Sequence, residues 1–566
     1  MRRYFLITVS VVIVMCCMGC EWGPKQDSDL WLNLQIDGEA LHDWTFVEGA
    51  WLESKEGIIT APENHVDENL AFFTKQGYTD FEAEFEFRWD CMWTNAGFVF
   101  RARDARHYYM VHFPVVGQQY RAEHFWGAIS KVDETGFVEV LKMELIHGVS
   151  SIPTLWHKVR VAVRGNEIRV WVDGRPFSVM RDDTYTQPGY FGLATYCSSG
   201  KYSLTNNKEL KSSFRNLRIR GHAERAPLWD KSIQPVRNWY MVYPEKGSGC
   251  GNIVRTSNGE LLITHAGEMM RSTDQGRTWS DPEPLPDGLE NGSLYITREG
   301  LLTLHFIRNK APFQIIRAAS TNNGKTWSKP VQTGEVAFPP EKYYANLYMA
   351  RLLELKDGTL LMFAVGVAAG GESTFIEGRW YFVHPPPGFI NVCLRSIDNG
   401  QSWSTPVNMD GPPYSEIFFM LKGKPCEISA AQTRDGSIIS LARPVHSPFM
   451  WETWSKDGGK TWTPMARGPF PMYACTNAMI TTTSGVILIG GRFPGIGVQV
   501  SRDDGMTWKC FRIDTCCWAN GAMYEVEPDV VLFIYGGKFV TEPKDTGKLL
   551  RGQLLRVTTD GLEPAY

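Results

Sequence analysis

The chain has little net charge, no long helical period, no apolar run long enough to span a bilayer and no paired cysteine motif. Across 566 residues, 58 Lys and Arg face 62 Asp and Glu, a balance that excludes a general nucleic-acid binder. The longest apolar run, Tyr4 to Met18, falls short of the roughly 20 residues a membrane helix needs. Nine of the 12 cysteines lie beyond Cys20, an odd number, with no C-x-x-C pair and no His at zinc-finger spacing. That excludes a zinc module and makes a disulfide framework unnecessary; the adjacent Cys516-Cys517 reads as packing. What the chain has instead is 53 Gly, 20 Trp and 21 Tyr, many turns and many large aromatics. These favour an all-β fold, and the length allows two to four domains.

Arg2 and Arg3 precede the apolar run, whose length suits the core of an export signal. It ends in Cys17-Met18-Gly19-Cys20, which resembles a bacterial lipoprotein signal. The resemblance implies export and lipidation of Cys20, with residues 1–20 as signal and 21–29 as tether. An ordinary cleaved signal is the alternative. Either places the protein outside the cytoplasm, at the cell surface or in the periplasm, with membrane contact only through the lipid.

Residues 30–222 read as short alternating strands, such as Phe81-Glu82-Ala83-Glu84-Phe85-Glu86-Phe87 and Val159-Arg160-Val161-Ala162-Val163. Together with Ala96–Arg101, Trp156–Val161 and Val170-Trp171-Val172-Asp173-Gly174, they resemble a concanavalin-like (laminin-G type) jelly roll. Such a domain implies a scaffold or a glycan-binding role; a related keto-glycoside hydrolase group uses the same fold for chemistry.

Residues 223–566 contain two interleaved repeats. One, S-x-D-x-G-x-T-W, occurs at Ser272–Trp279, Ser320–Trp327 (Asn322 for Asp), Ser396–Trp403, Ser455–Trp462 and Ser501–Trp508. Its Asp can accept backbone N–H bonds in a tight turn, its Gly supplies positive φ, and its Trp can wedge between sheets. These aspartates are structural and are not nominated as catalysts. The other repeat is a hairpin, with turns at Asn258-Gly259, Glu299-Gly300, Asp357-Gly358, Asp435-Gly436, Ser484-Gly485 and Pro528-Asp529. Six hairpins at about 57 residues each predict a six-bladed β-propeller behind the β-sandwich.

The five motifs resemble the Asp boxes of the sialidase (neuraminidase) superfamily. In a propeller, ligands bind where the inner hairpins open, opposite their tight turns. Glu427, nine residues before Gly436, and Arg443, seven after it, should meet there. The resemblance gives Pro425-Cys426-Glu427 the role of base and Leu441-Ala442-Arg443 that of a substrate-carboxylate clamp. Arg492, at the same offset in the fifth hairpin, stands as a second clamp. His265, His305, Arg308 and Lys538 fall near the equivalent rim and complete a cationic set of candidate substrate-binding residues.

The pattern departs from the family in three places. Gly249-Cys250-Gly251 stands where an Arg-Ile-Pro segment would supply a further clamp. Glu268 is the sole carboxylate where the family carries its acid. No tyrosine occurs at Trp518-Ala519-Asn520-Gly521, where the nucleophile would fall, leaving Tyr524 and Tyr473 as candidates. An insertion from Gly366 to Phe389 in the third blade, rich in aromatics, has the length of a functional lid.

The expectation is an exported glycoside hydrolase releasing a terminal, anionic sugar, with Glu427, Glu268 and Tyr524 as catalytic candidates. A glycan-binding surface protein without turnover and a polysaccharide lyase acting on uronic acids are the alternatives. Carbohydrate is the expected partner, not nucleic acid, and no metal or organic cofactor is implied.

Overall fold

A computed structural model describes residues 30–565 except 37, 49–50, 63–67, 91–93, 116–124, 151–154, 198–209, 244–249, 266, 290–291, 309–311, 337–343, 369–371, 377–378, 384–388, 410–425, 444–448, 493–494, 516–520 and 539–547. Cys20 therefore lies outside the described residues.

Alternation in the first half produces a two-sheet sandwich. In the strand Phe81–Trp89 the residues Phe81, Ala83, Phe85 and Phe87 face inward and are buried. Phe87 stacks on Phe113 and Phe85 on Phe98 of the opposite sheet, with ring centroids 4.8 and 5.3 Å apart. The intervening glutamates point out and pair with arginines of neighbouring strands: Glu82 with Arg160 and Arg220, Glu84 with Arg218, Glu86 with Arg215. A one-residue slip would turn those charges into the apolar face between the sheets, so the pattern fixes register.

The second half forms antiparallel sheets around an axis. Four are meanders of four strands, beginning at Ile253–Arg255, Ser293–Ile296, Tyr344–Glu354 and Cys426–Gln432. A fifth closes the ring: Tyr240–Tyr243, just after the sandwich, pairs with Lys548–Val557 near the end of the sequence. Five sheets stand as separate blades, not the six expected. The remaining meander, from Tyr473–Thr481 to Lys509–Asp514, lies between the fourth blade and the closing sheet but is not a sheet of its own. Its last strand bonds to Val138–Ile146 of the sandwich, with Val138 opposite Arg512 and Val140 opposite Cys510. The result is one eleven-stranded sheet shared by both halves. The physical reason is edge satisfaction: a sandwich and a blade each end in unpaired N–H and C=O groups, and here the two edges cover one another.

The Asp motifs do what their residue types dictate. In the first, Asp274 accepts from the Thr278 N–H at 2.9 Å and from the Thr278 hydroxyl at 2.6 Å, while the Gly276 N–H donates to Ser272 Oγ. Trp279, Trp327, Trp403, Trp462 and Trp508 are half-buried and each packs into an apolar cluster shared with the preceding blade.

Candidate functional site

The blades have two unlike ends. At one lie the tight turns and the Asp motifs; at the other, strands open toward the mouth of the ring. Glu427 is the second residue of the fourth blade's innermost strand, Cys426–Gln432. Its backbone is left-handed, with φ of 50°, at a bulge where the register shifts between Cys426 and Ile428. A non-glycine residue held there stores strain of roughly 1–3 kcal/mol, and a bulge re-aims the side chain it carries. The carboxylate is aimed at Arg443 on the neighbouring strand, whose Nη1 donates to Glu427 Oε2 at 2.7 Å. Both side chains are mostly buried, at 12% and 15% exposure, yet both keep an accessible face. The juxtaposition expected from the hairpin register is thus present.

Arg492 ends its strand at the corresponding place and is 8% exposed. A third buried arginine was not singled out from the sequence. Arg351 lies on the innermost strand of the third blade, seven residues before Gly358, and is 7% exposed. Residues at the same offset in the other hairpins are Asn252, Ser293, Ser429, Ala478 and Ala522, all smaller and uncharged. They leave room at that depth for one guanidinium. Burial pushes the Cys250 thiol, on the first hairpin, up to about 12, and the Arg351 charge opposes that push. Cys250 stands nine residues before its turn, as Glu427 does, so Arg351 sits about 7 Å deeper, two residues along a strand. Extending the hairpin offset to the inner strands would have found it.

On the first blade, His265 and Glu268 face one another across the turn that follows Leu261–His265. His265 is buried, its ring edge-on to Tyr243 with centroids 6.1 Å apart. Glu268 is partly buried, and among the described residues its Oε2 is enclosed without a hydrogen-bond partner.

Two expected site residues are corrected. His305 is fully buried between blades, not on the rim. Its Nε2 bonds Thr303 Oγ1 at 3.0 Å, and the ring packs on Gly400 and Trp403 of the next blade's Asp motif. Gly400, with no side chain, leaves the space the ring fills: a Cβ there would clash with His305 Cε1. Burial, with the nearby Arg317 charge, lowers its pKa to about 3 and keeps it neutral. Tyr524 lies five residues before Asp529, toward the tight-turn end, where Arg255 covers its ring. It is four residues, about 13 Å of strand, deeper than the level of Glu427.

Arg308 is at the open end but exposed, bonded to Gln314 Oε1 at 2.9 Å across its own turn. Lys538 ends its strand opposite Lys548; its side chain, and that of Tyr473, lie outside the described residues. The insertion forms a separate two-stranded hairpin, Glu372–Ile376 with Arg379–Val383, rising from the same open end. Among the described residues, no three His, Cys, Asp or Glu are grouped to hold a metal ion.

Comparison with known proteins gives matches for both halves. Residues 31–220 match the family described as a 3-keto-alpha-glucoside-1,2-lyase-like domain, and residues 307–515 match a BNR repeat-like domain. A sialidase of Bacteroides fragilis (strain YCH46) is 26% identical over 207 residues, covering 33% of this chain and 36% of that protein. The chain thus spans about a third of the curated relative's length. Among solved structures, a Hadza microbial sialidase is 14% identical, covering 90% of this chain and 96% of its own, with a TM-score of 0.41. An alpha-L-arabinofuranosidase of Fusarium graminearum is 14% identical, covering 56% and 97%, with a TM-score of 0.42. The first half of the chain is thus similar to a 3-keto-alpha-glucoside-1,2-lyase-like domain, part of the second half to a BNR repeat-like domain, and a 207-residue stretch to a bacterial sialidase.

Proposed function

We propose that the protein is a glycoside hydrolase acting on a terminal, anionic sugar at the open end of the ring. One observation carries the reading: Glu427, held in a left-handed backbone on a bulge, meets Arg443 at 2.7 Å beside the mouth. Such strain persists only where the surroundings impose it, and it clusters where a side chain must be aimed.

Glycoside hydrolysis needs a proton donor for the leaving oxygen and a carboxylate at the anomeric centre. Glu427 takes the second part, as nucleophile or as base for a water. Glu268, with its enclosed oxygen, takes the first. Arg443 and Arg492 clamp the sugar's carboxylate through planar, charge-assisted hydrogen bonds, and Arg351 supplies a third positive charge below them. His265 lines the first-blade side. Arg308 and Lys538 stand at the rim, where their charges steer an anionic glycan inward. The Arg2–Cys20 segment supports export and a lipid anchor at Cys20; labelling with a radioactive fatty acid, lost in Cys20→Ala, tests it.

The function is tested by screening sialosides, uronides and rhamnosides with the wild type and Glu427→Gln. Released sugar that disappears with the substitution supports the assignment; activity unchanged by it removes Glu427 from the mechanism. An unsaturated, ultraviolet-absorbing product would instead identify a lyase. A second reading, glycan binding without turnover, is favoured by the distance of Tyr524 from the mouth. It expects Glu427→Gln to bind glycan as the wild type does, with no product from either.

A further inference from the structure

The sandwich reaches the open end of the propeller in two separate ways. Trp126, on the sandwich strand Phe125–Val132, is 2% exposed and packs edge-on against Phe449, with centroids 5.5 Å apart. Phe449 stands two residues before Trp451, which pairs with Ala442, the neighbour of Arg443. Arg467, on the outer strand of the same blade, covers the Phe449 ring at 3.5 Å. The ring is therefore clamped between a sandwich tryptophan and a blade arginine, at the end of the hairpin that presents Arg443.

The second route is the shared sheet. Arg492 is opposite Ile496, Ile496 is opposite Asp514, and the strand ending at Asp514 is bonded to the sandwich strand Val138–Ile146. At that end Arg512 pairs with Glu68 of the sandwich at 3.0 Å, and at the strand's other end, next to the Asp motif, Lys509 pairs with Glu139 at 2.5 Å. Asp514 is held from the other side by the buried Arg551 and by the Tyr535 hydroxyl, each at 2.8 Å. Each clamp arginine is thus linked to the sandwich indirectly, Arg443 through Phe449 beside the neighbouring strand and Arg492 through two intervening strands of the shared sheet.

We propose that the sandwich is a fixed part of the site, with Trp126 a positioning residue that holds Arg443, through Phe449, at its working distance from Arg492. This rests on the hydrolase reading and adds to it the source of the clamp's geometry. Two guanidiniums accept one carboxylate only at a defined separation, and binding of this kind loses strength steeply when a contact moves by about 1 Å. A sandwich tethered by a flexible linker could not set that separation; one sharing a sheet can.

The test uses the full chain, with Trp126→Ala and Trp126→Phe beside Glu427→Gln. Trp126→Ala should raise KM for the anionic substrate roughly tenfold with kcat within about twofold, and Trp126→Phe should restore most of it. Where turnover is absent, calorimetric titration with glucuronic acid and N-acetylneuraminic acid reads the same arginines. The wild type should melt in one calorimetric transition, since one sheet runs through both halves. Trp126→Ala that keeps wild-type KM and affinity overturns the inference, and so does a wild type melting in two separate steps. A wild type silenced by Glu427→Gln but indifferent to Trp126→Ala removes this inference alone. One that neither turns over nor binds a sugar acid removes the hydrolase reading with it.

Discussion

At the tight-turn end of the propeller the blades repeat one solution, whereas at the open end the residues change from hairpin to hairpin, apart from the matching Arg443 and Arg492. Ser272, Ser320, Ser396, Ser455 and Ser501 each accept the N–H of the Gly four residues on, at 2.8 Å in all five motifs. The Asp or Asn of each motif accepts the N–H of the following Thr or Ser. At the open end, among the described residues, stand a glutamate on a bulge, an enclosed carboxylate oxygen without a hydrogen-bond partner, the buried Arg351 and Arg492 and the mostly buried Arg443. The difference is between polar groups that satisfy one another within each motif and polar groups left facing the mouth, which the proposed function assigns to a ligand.

The sharpest way to break this comparison is at Glu427. Glu427→Gln should lower kcat/KM by roughly 10²–10⁴-fold with an unchanged melting temperature. A loss below tenfold would make the bulge an ordinary irregularity. Next in size, Arg492→Ala or Arg351→Met should raise KM for an anionic glycan about 10–100-fold, the range of one or two charge-assisted hydrogen bonds, and leave a neutral sugar's KM alone. Equal loss on both sugars would show that these charges are structural.

The tight-turn end should answer in the opposite currency. Asp457→Ala removes the acceptor for the Thr461 N–H and hydroxyl and should cost about 1–3 kcal/mol of stability, with kcat within error of the wild type. Denaturant melts measure the first and steady-state kinetics the second.

The last effect concerns the pH dependence of stability. Burial alone would raise the carboxyls of Asp274, Asp398, Asp457 and Asp503, but the Thr or Ser hydroxyl and the backbone N–H groups of each motif hold them below 3.8. A depressed folded-state value means stability present above pH 3.8 and shed as pH falls through the lowered values. His305, and His112 on the sandwich sheet, work in a higher window. Burial, with Arg317 and Arg512 respectively nearby, lowers both from 6.5 to about 3. The unfolded chain then binds protons that the folded one refuses, so stability declines from pH 6.5 toward 3. Replacing His305 by Gln should flatten the slope between pH 4 and 6; an unaltered slope would show that the ring titrates in place.

Much of the architecture was legible because it repeats. The Asp motifs name their own hydrogen bonds, and the alternation Phe81–Phe87 states which face of its strand is buried. Glu427 and Arg443 were found because a hairpin folds residues equidistant from its turn onto one another. His305 was misplaced because offset from a turn gives height along a strand and not the side a ring takes; the space over Gly400 of the next blade's motif received it. Tyr524 was misplaced because only chemistry, and not offset, recommended it. Arg351 went unnoticed because its meaning depends on five small residues on other hairpins, far away in sequence.

The sequence by itself determined the β class, the repeats, the height of each residue in its blade and which hairpin ends could face a ligand, because these follow from period-2 alternation and turn chemistry within short segments. Tertiary structure alone decided that one meander is shared with the sandwich and that His305 turns inward. Such outcomes depend on which free edges and which gaps meet when distant segments pack, and no local pattern encodes that meeting.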